Sequence, residues 1–348
     1  MKQNNSLINI KSILLASVFF TYSSIAEAGP KVVTSIKPIH SLVSNVMEGI
    51  GEPYLIIKDT SSPHTFRFKP TDASKLEDAE LIFWIGDGLE NFLVKPLDSI
   101  SLDARKISFM EAKEMQKLKF RDNNIFEEHD EHEEHDEHEE HDEHDEHEEH
   151  DEHDEHEEHE EHDAHDEHDE HDEHEGHMHG EFDVHLWLDP SNTKEMVLII
   201  ANELSNIDPA NKTLYFQNAE NTIIKLDNLI IETNQILNKD ISYVVFHDAY
   251  QYYENRFNIN AKGALTVNPD ILPGARQISN IRKLIEDSNI SCVLSEPQFN
   301  PKIIETIAKD TKIKMGVLDP LGSLIPEGKD QYFLLISDLT SNLNSCSK

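Results

Sequence analysis

The chain has 348 residues, and its 30 Lys and Arg face 69 Asp and Glu, a formal charge of −39. Most of that charge is local: the 49 residues from Glu127 to Glu175 hold 32 acidic groups, 16 His and Ala164, and the other 299 residues carry 37 acidic and 30 basic groups. That remainder is only mildly acidic, which argues against a nucleic-acid partner, and roughly 270 residues outside the N-terminus and the run suffice for two ordinary domains.

Residues 1–28 read as a secretory signal peptide. Lys2 and Lys11 supply positive charge, Ile13 to Phe20 is apolar, and Ala26-Glu27-Ala28 offers a small-x-small cleavage site before Gly29. The apolar stretch is shorter than the ~20 residues of a membrane span. An exported, soluble mature protein is expected, with a retained anchor as the alternative. Short apolar runs then alternate with amphipathic stretches, which predicts an α/β chain with mainly parallel strands. Lys31 to Ile36, Tyr54 to Ile57, Leu81 to Ile85 and Ile107 to Phe109 read as strands, and Pro38 to Met47 and Thr71 to Leu76 as helices. Val184 to Leu188 reads as a strand, followed by a helix to about Ser205 that Ser191 or Asn192 caps. Pro209 to Leu237 carries apolar residues at helical spacing over an unusual length, which predicts a connecting helix. Tyr243 to Phe246, Ile290 to Leu294 and Lys314 to Leu318 read as strands, with a helix from Ile278 to Glu286. The expected layout is an N-terminal lobe (29–208), a connecting helix (209–238) and a C-terminal lobe (239–348). A disordered acidic-His insertion (123–181) interrupts the first lobe.

That insertion places a His at every third position: His129, His132, His135, His138, His141, His144, His147, His150, His153, His156, His159, His162, His165, His168, His171 and His174. His177 and His179 extend it after a Gly. A period of three fits neither helix nor strand, and self-repulsion without apolar groups predicts disorder. Imidazole and carboxylate at this density make a chain of weak sites for borderline cations, zinc above all. Ordering such a chain costs ~1–2 kcal/mol per residue, so each site should be weak. An antenna that feeds a tighter site, a zinc buffer or sensor, and a passive charged loop all fit.

Of 22 histidines only four lie elsewhere: His40, His64, His185 and His247. His40, among Ile36, Leu42 and Val43, reads as structural. His64 and His247 lie just beyond predicted strands, and His185 lies near the end of one. In open α/β sheets ligands bind beyond the strands' carboxyl ends, so these three are candidates for one shared metal site, with separate structural roles as the alternative. Cys292 and Cys346 are an even pair, usually bridged in an oxidising compartment; a Cys metal site is the alternative, without CxxC spacing to support it.

Five segments resemble motifs of the periplasmic zinc-binding proteins of ABC importers, the cluster A-I metal-binding solute-binding proteins. They are His185-Leu186-Trp187-Leu188-Asp189-Pro190, Phe246-His247-Asp248-Ala249-Tyr250, Val267-Asn268-Pro269 within Thr266 to Gly274, Ser295-Glu296-Pro297-Gln298-Phe299, and Leu318-Asp319-Pro320-Leu321-Gly322. The likeness spans nearly the whole mature chain, His-rich insertion included. It implies two α/β lobes with mainly parallel sheets, joined by a long rigid helix, with Zn²⁺ in the cleft as the transported ligand. It also implies a periplasmic monomer that serves a membrane permease, and a Cys292–Cys346 disulfide. Residue by residue, His64, His185 and His247 fall on the family's imidazole ligands. Some members add a Glu before the first, where this chain has Pro63. Related proteins use an Asp near the last strand, which points to Asp319 as fourth donor, with a water as its rival. Manganese-binding relatives resemble this pattern with a carboxylate at the third His position, so His247 argues for zinc.

The chemistry agrees, since three imidazoles and one oxygen suit tetrahedral Zn²⁺. A manganese or mixed-metal carrier of the same fold is the near alternative. A zinc-dependent hydrolase is the distant one, without an HExxH, a Gly-x-Ser-x-Gly or an obvious general base beside a ligand. A purely structural zinc predicts that chelation unfolds the protein.

Overall fold

The structure is a computed structural model that describes residues 29–121, 123–126, 180–267, 269, 273–309, 311 and 313–347. The predicted signal peptide, all 18 histidines of the run, and Asn268 of the third motif lie outside the described residues.

Two parallel four-stranded sheets form the frame. The first joins β1 (Val32–Thr34), β2 (Tyr54–Leu55), β3 (Leu81–Trp84) and β4 (Arg105–Ser108) in the order β2-β1-β3-β4. Around it lie α1 (Lys37–Val46), α2 (Pro70–Glu77) and α3 (Asn91–Ser99). The second joins β5 (Tyr243–His247), β6 (Gly263–Thr266), β7 (Cys292–Ser295) and β8 (Lys314–Val317) in the order β6-β5-β7-β8. Its helices are α6 (Gln251–Phe257), α7 (Ala275–Asp287), α8 (Lys302–Ala308) and α9 (Gln331–Ser345), while α4 (Pro190–Ile207) and α5 (Lys212–Ile236) lie between the sheets in sequence. In both sheets the chain steps out to one side of the first strand and returns to the other. That leaves a crevice beyond the carboxyl ends of β1 and β3, and another beyond those of β5 and β7, where parallel sheets bind ligands.

The 25 residues of α5 make a rod of about 37 Å. Its buried stripe is Tyr215, Ala219, Thr222, Leu226, Leu229 and Thr233. Thr222 is tolerated there because its hydroxyl donates to the Asn218 carbonyl, 2.7 Å away. One apolar core runs from the first sheet through α4, α5 and α9 to the face of the second sheet that carries Val245 and Leu294. The opposite face, with Val244 and Val293, packs on Ile281, Ile285, Ile304 and Ile307 of α7 and α8. Period-two alternation along β5 and β7 therefore serves two cores rather than core and solvent. The Cys292–Cys346 disulfide joins β7 to the end of α9 with Cα atoms 5.4 Å apart.

The lobes are fastened as well as joined. Buried Lys37 of α1 donates to the carbonyls of Ser323 (2.5 Å) and Ile325 (2.9 Å), and Arg256 of α6 grips both oxygens of Asp189 at 2.6 and 2.8 Å. The stem of the acidic-His insertion is a third tie. Ile125 bridges antiparallel to Gly263 at the free edge of β6, and Arg121 pairs with buried Asp248 (2.7 Å) and Glu254 (2.6 Å). Gly263 is required, because a Cβ there would lie 2.6 Å from the Asn124 carbonyl. Among the described residues no helix is long and apolar enough to cross a membrane.

Three local expectations are corrected. Val184 to Leu188 is not a strand: Leu186–Leu188 is one turn of 3-10 helix with His185 at its N-cap. Among the described residues no strand lies beside it, and the segment buries Val184, Leu186, Trp187 and Leu188. The cap of α4 is Asp189, whose Oδ1 accepts from Ser191 N at 2.7 Å, with Pro190 next. The connecting stretch is split, a 3-10 turn at Pro209–Asn211 preceding α5.

Candidate metal centre

His64, His185 and His247 meet in one place. Their candidate ligand nitrogens all lie within 4.8 Å of one another, the one such group of three or more among the described residues. Nε2 of His185 and Nε2 of His247 are 3.3 Å apart. In a tetrahedron with Zn–N of about 2.0–2.1 Å, ligand nitrogens stand roughly 3.3–3.4 Å apart, so this pair is already spaced for zinc. The cavity between the rings holds about 10 Å³, room for a single ion or water. Ser62, Trp187, Phe299 and Leu321 are among the residues that enclose it.

Each candidate ligand arrives by a different route. His64 lies in the loop after β2, half-buried, its N–H donating to Ser62 Oγ at 3.3 Å. His247 is the last residue of β5, and Glu296 follows the end of the neighbouring β7. Because β5 and β7 are paired in parallel, Glu296 is delivered beside His247. Its Oε1 accepts both the main-chain N–H (3.3 Å) and Nδ1 (2.6 Å) of that histidine. Asp183 repeats the device for His185, its Oδ1 taking the main-chain N–H at 3.0 Å and Nδ1 at 2.7 Å. Holding the proton on Nδ1 leaves Nε2 as the lone-pair donor, and both Nε2 atoms turn inward. Trp187 secures the His185 turn across the cleft by donating Nε1 to the Pro320 carbonyl at 2.8 Å.

Burial dominates the electrostatics. It pushes Asp183 up to about 7, against the hydrogen bond from His185, and raises Glu296 against the pull of His247. His185 is held well below 6.5, first by burial and then by the charge of His247. Burial alone would depress His247 too, but Glu296 on its Nδ1, with Asp248 and Asp183 nearby, raises it above 6.5.

Of the remaining expected residues, His40 packs away from the centre, its Nε2 3.2 Å from the Pro53 carbonyl. Asp319 is not in the three-histidine group. Its Oδ1 accepts from Gln298 Nε2 (2.7 Å) and Leu321 N (3.0 Å), and its Oδ2 from Ser323 N (2.6 Å) and Oγ (2.7 Å). Asp248, in the loop between β5 and α6, turns to Arg121 at 2.7 Å. Sequence reasoning missed Asp183 and Glu296 as partners of the ligands. Position was the available signal: Asp183 stands two residues before His185, and Glu296 lies in a quoted motif just past a predicted strand.

Fold and site together define a two-lobed metal-binding protein of the solute-binding class. The model of the family described as ZnuA, zinc-uptake complex component A periplasmic, matches residues 32–346. The high-affinity zinc uptake system protein ZnuA of Brucella abortus (strain 2308) is 46% identical over 343 residues, 97% of this chain and 98% of the relative. The protein of the same name from Yersinia pestis is 32% identical over 343 residues, with the same coverage of both chains. Among solved structures, a ZnuA deletion mutant lacking 138–173, with zinc bound, shares the fold. Its TM-score is 0.67 at 20% identity, over 92% of this chain and 99% of that one. The chain belongs to the periplasmic zinc-uptake component A family, the ZnuA family.

Proposed function

We propose that this protein captures Zn²⁺ in the periplasm on His64, His185 and His247 and delivers it to the permease of an ABC importer, acting as a monomer exported with residues 1–28 removed. The observation that carries the reading is the convergence of three imidazoles on a cavity of about 10 Å³. A water completes the tetrahedron. Membership in a zinc-uptake family supports zinc as the cargo, and so does a ligand group without a carboxylate, the donor manganese favours.

A cavity of this size argues against a hydrolase, because substrate pockets for organic molecules run to about 300–1,000 Å³. Each carboxylate beside a candidate ligand has one oxygen committed to an imidazole N–H. Direct ties between the lobes, such as Trp187 to Pro320, support a folded apo form, as a carrier needs.

Competition with a chelator should find one tight zinc equivalent in the full chain, plus several weak ones from the acidic-His run. Deleting 127–179 should remove only the weak class. His64→Ala, His185→Ala or His247→Ala should abolish the tight one. If all three single variants hold zinc like the wild type, the site is elsewhere.

A further inference from the structure

We propose that Gln298 sets the metal preference of the site by holding Asp319 out of the coordination sphere. The inference rests on the three-histidine reading above and deepens it.

Strands β7 and β8 are parallel neighbours, so the segments that leave their carboxyl ends, at Glu296 and Leu318, run side by side. Gln298 stands between two spaces. It lines the histidine cavity together with Pro320 and Leu321. Asp319 lines a separate groove of about 90 Å³ with Pro297, Val317 and Leu324. The amide Nε2 of Gln298 reaches across and donates to Asp319 Oδ1 at 2.7 Å. The other three donors on that carboxylate come from its own loop, Leu321 N, Ser323 N and Ser323 Oγ. Gly322, at φ +57°, lets the chain double back so that both main-chain N–H groups face one side chain. Lys37 then fastens the loop from the other lobe through the Ser323 carbonyl. Of the four donors, only Gln298 belongs to the wall of the histidine cavity without belonging to the Asp319 loop.

The second amide atom, Oε1 of Gln298, is buried with no hydrogen-bond partner among the described residues. An acceptor at the edge of a three-imidazole cavity suits an O–H of a water on the metal. One side chain thus favours water as the fourth ligand and disfavours the carboxylate. Three nitrogens and a water make a tetrahedral site that suits zinc. A carboxylate binding through both oxygens in place of the water would raise the coordination number and the oxygen share toward what manganese prefers.

The test compares the full chain with Gln298→Ala and Gln298→Met, the second removing the donor while keeping most of the bulk. Both should raise the Mn²⁺-to-Zn²⁺ affinity ratio by at least about tenfold, which is about 1.4 kcal/mol. Loaded with Co²⁺, both should lose part of the intense visible absorption of a tetrahedral ion. Adding Asp319→Asn to Gln298→Met should return the ratio to within about threefold of the wild type. Asp319→Asn alone should leave the tight zinc within the same margin. An unchanged ratio and Co²⁺ spectrum in both Gln298 variants would overturn the proposal, as would loss of tight zinc on Asp319→Asn alone. Failure of the underlying reading looks different: tight zinc would survive His64→Ala, His185→Ala and His247→Ala whatever Gln298 does.

Discussion

A metal-binding imidazole needs one nitrogen protonated and the other aimed, and Asp183 and Glu296 arrange both for His185 and His247. Each uses a single oxygen to accept the Nδ1 proton and the main-chain N–H of the same residue. Ring and backbone are therefore fixed together, which selects the rotamer as well as the tautomer. Glu296→Gln keeps an acceptor but removes the charge, and Asp183→Asn does the same at the other ligand. Each should weaken tight zinc about 10–100-fold, measured by chelator competition on protein whose melting confirms the fold. Unchanged zinc affinity in both would mean that the rings are held by packing alone. The histidines were legible because the chain has so few outside the run. Their carboxylates were hard to pick out, because 37 acidic residues lie outside the run and only position, two residues before His185 or just past a predicted strand, sets Asp183 and Glu296 apart.

The segment before the acidic-His run behaves as a strap. It pairs with the β6 edge at Ile125 and neutralises two buried carboxylates through Arg121, which also lies over the Phe126 ring at 4.1 Å. Glu254 is fully engaged, accepting in addition from Tyr243 Oη at 2.9 Å and Ala261 N at 3.1 Å. Arg121→Ala leaves both charges buried without their partner, so it should destabilise by up to about 3–5 kcal/mol in urea unfolding. The loss should shrink as pH falls toward about 7: burial already pushes Asp248 up to about 7 with Arg121 beside it, so without that charge the carboxyl takes a proton at still higher pH. A loss under about 0.5 kcal/mol at pH 8, the range of an ordinary surface change, would show the strap to be incidental. Most strands, about half of the helices and the connecting rod were readable from periodicity, whereas β6, α3, α6, α8 and α9 were not. The strap and the 3-10 turn at Leu186–Leu188 were not, because an edge pairing or a missing neighbour is invisible until the sheets exist.

Across the molecule, the buried centre couples zinc affinity to pH. Zinc binds neutral imidazole. His185 is already neutral near pH 7, its pKa held well below 6.5 by burial. His247, raised above 6.5 by Glu296 against the opposing pull of burial, is the group that must release a proton. Its raised folded-state pKa adds stability to the apo protein below pH 6.5, and that contribution is lost as pH rises through the folded value. Zinc affinity runs the opposite way, falling as pH drops through the same window, at first by about tenfold per pH unit for one proton. Chelator competition between about pH 8 and about pH 6 reads this directly, and calorimetry in buffers of different ionisation heat should find proton release. A flat profile would mean that His247 carries no proton to release in this range.

Residue type and order were enough for the parallel α/β layout, the long connector and the three imidazoles. Those features depend on hydrophobic period and on the scarcity of histidine outside the run. Packing alone chose the rest: which carboxylate serves which ring, and that Asp319 faces Gln298 and its own loop rather than the cavity. The physical reason is that the Glu296–His247 and Gln298–Asp319 pairings join residues far apart in sequence, 49 and 21 residues. They come into being only when β5 lies beside β7 and β7 beside β8, and each acid then bonds the donors that the neighbouring strand has brought within reach.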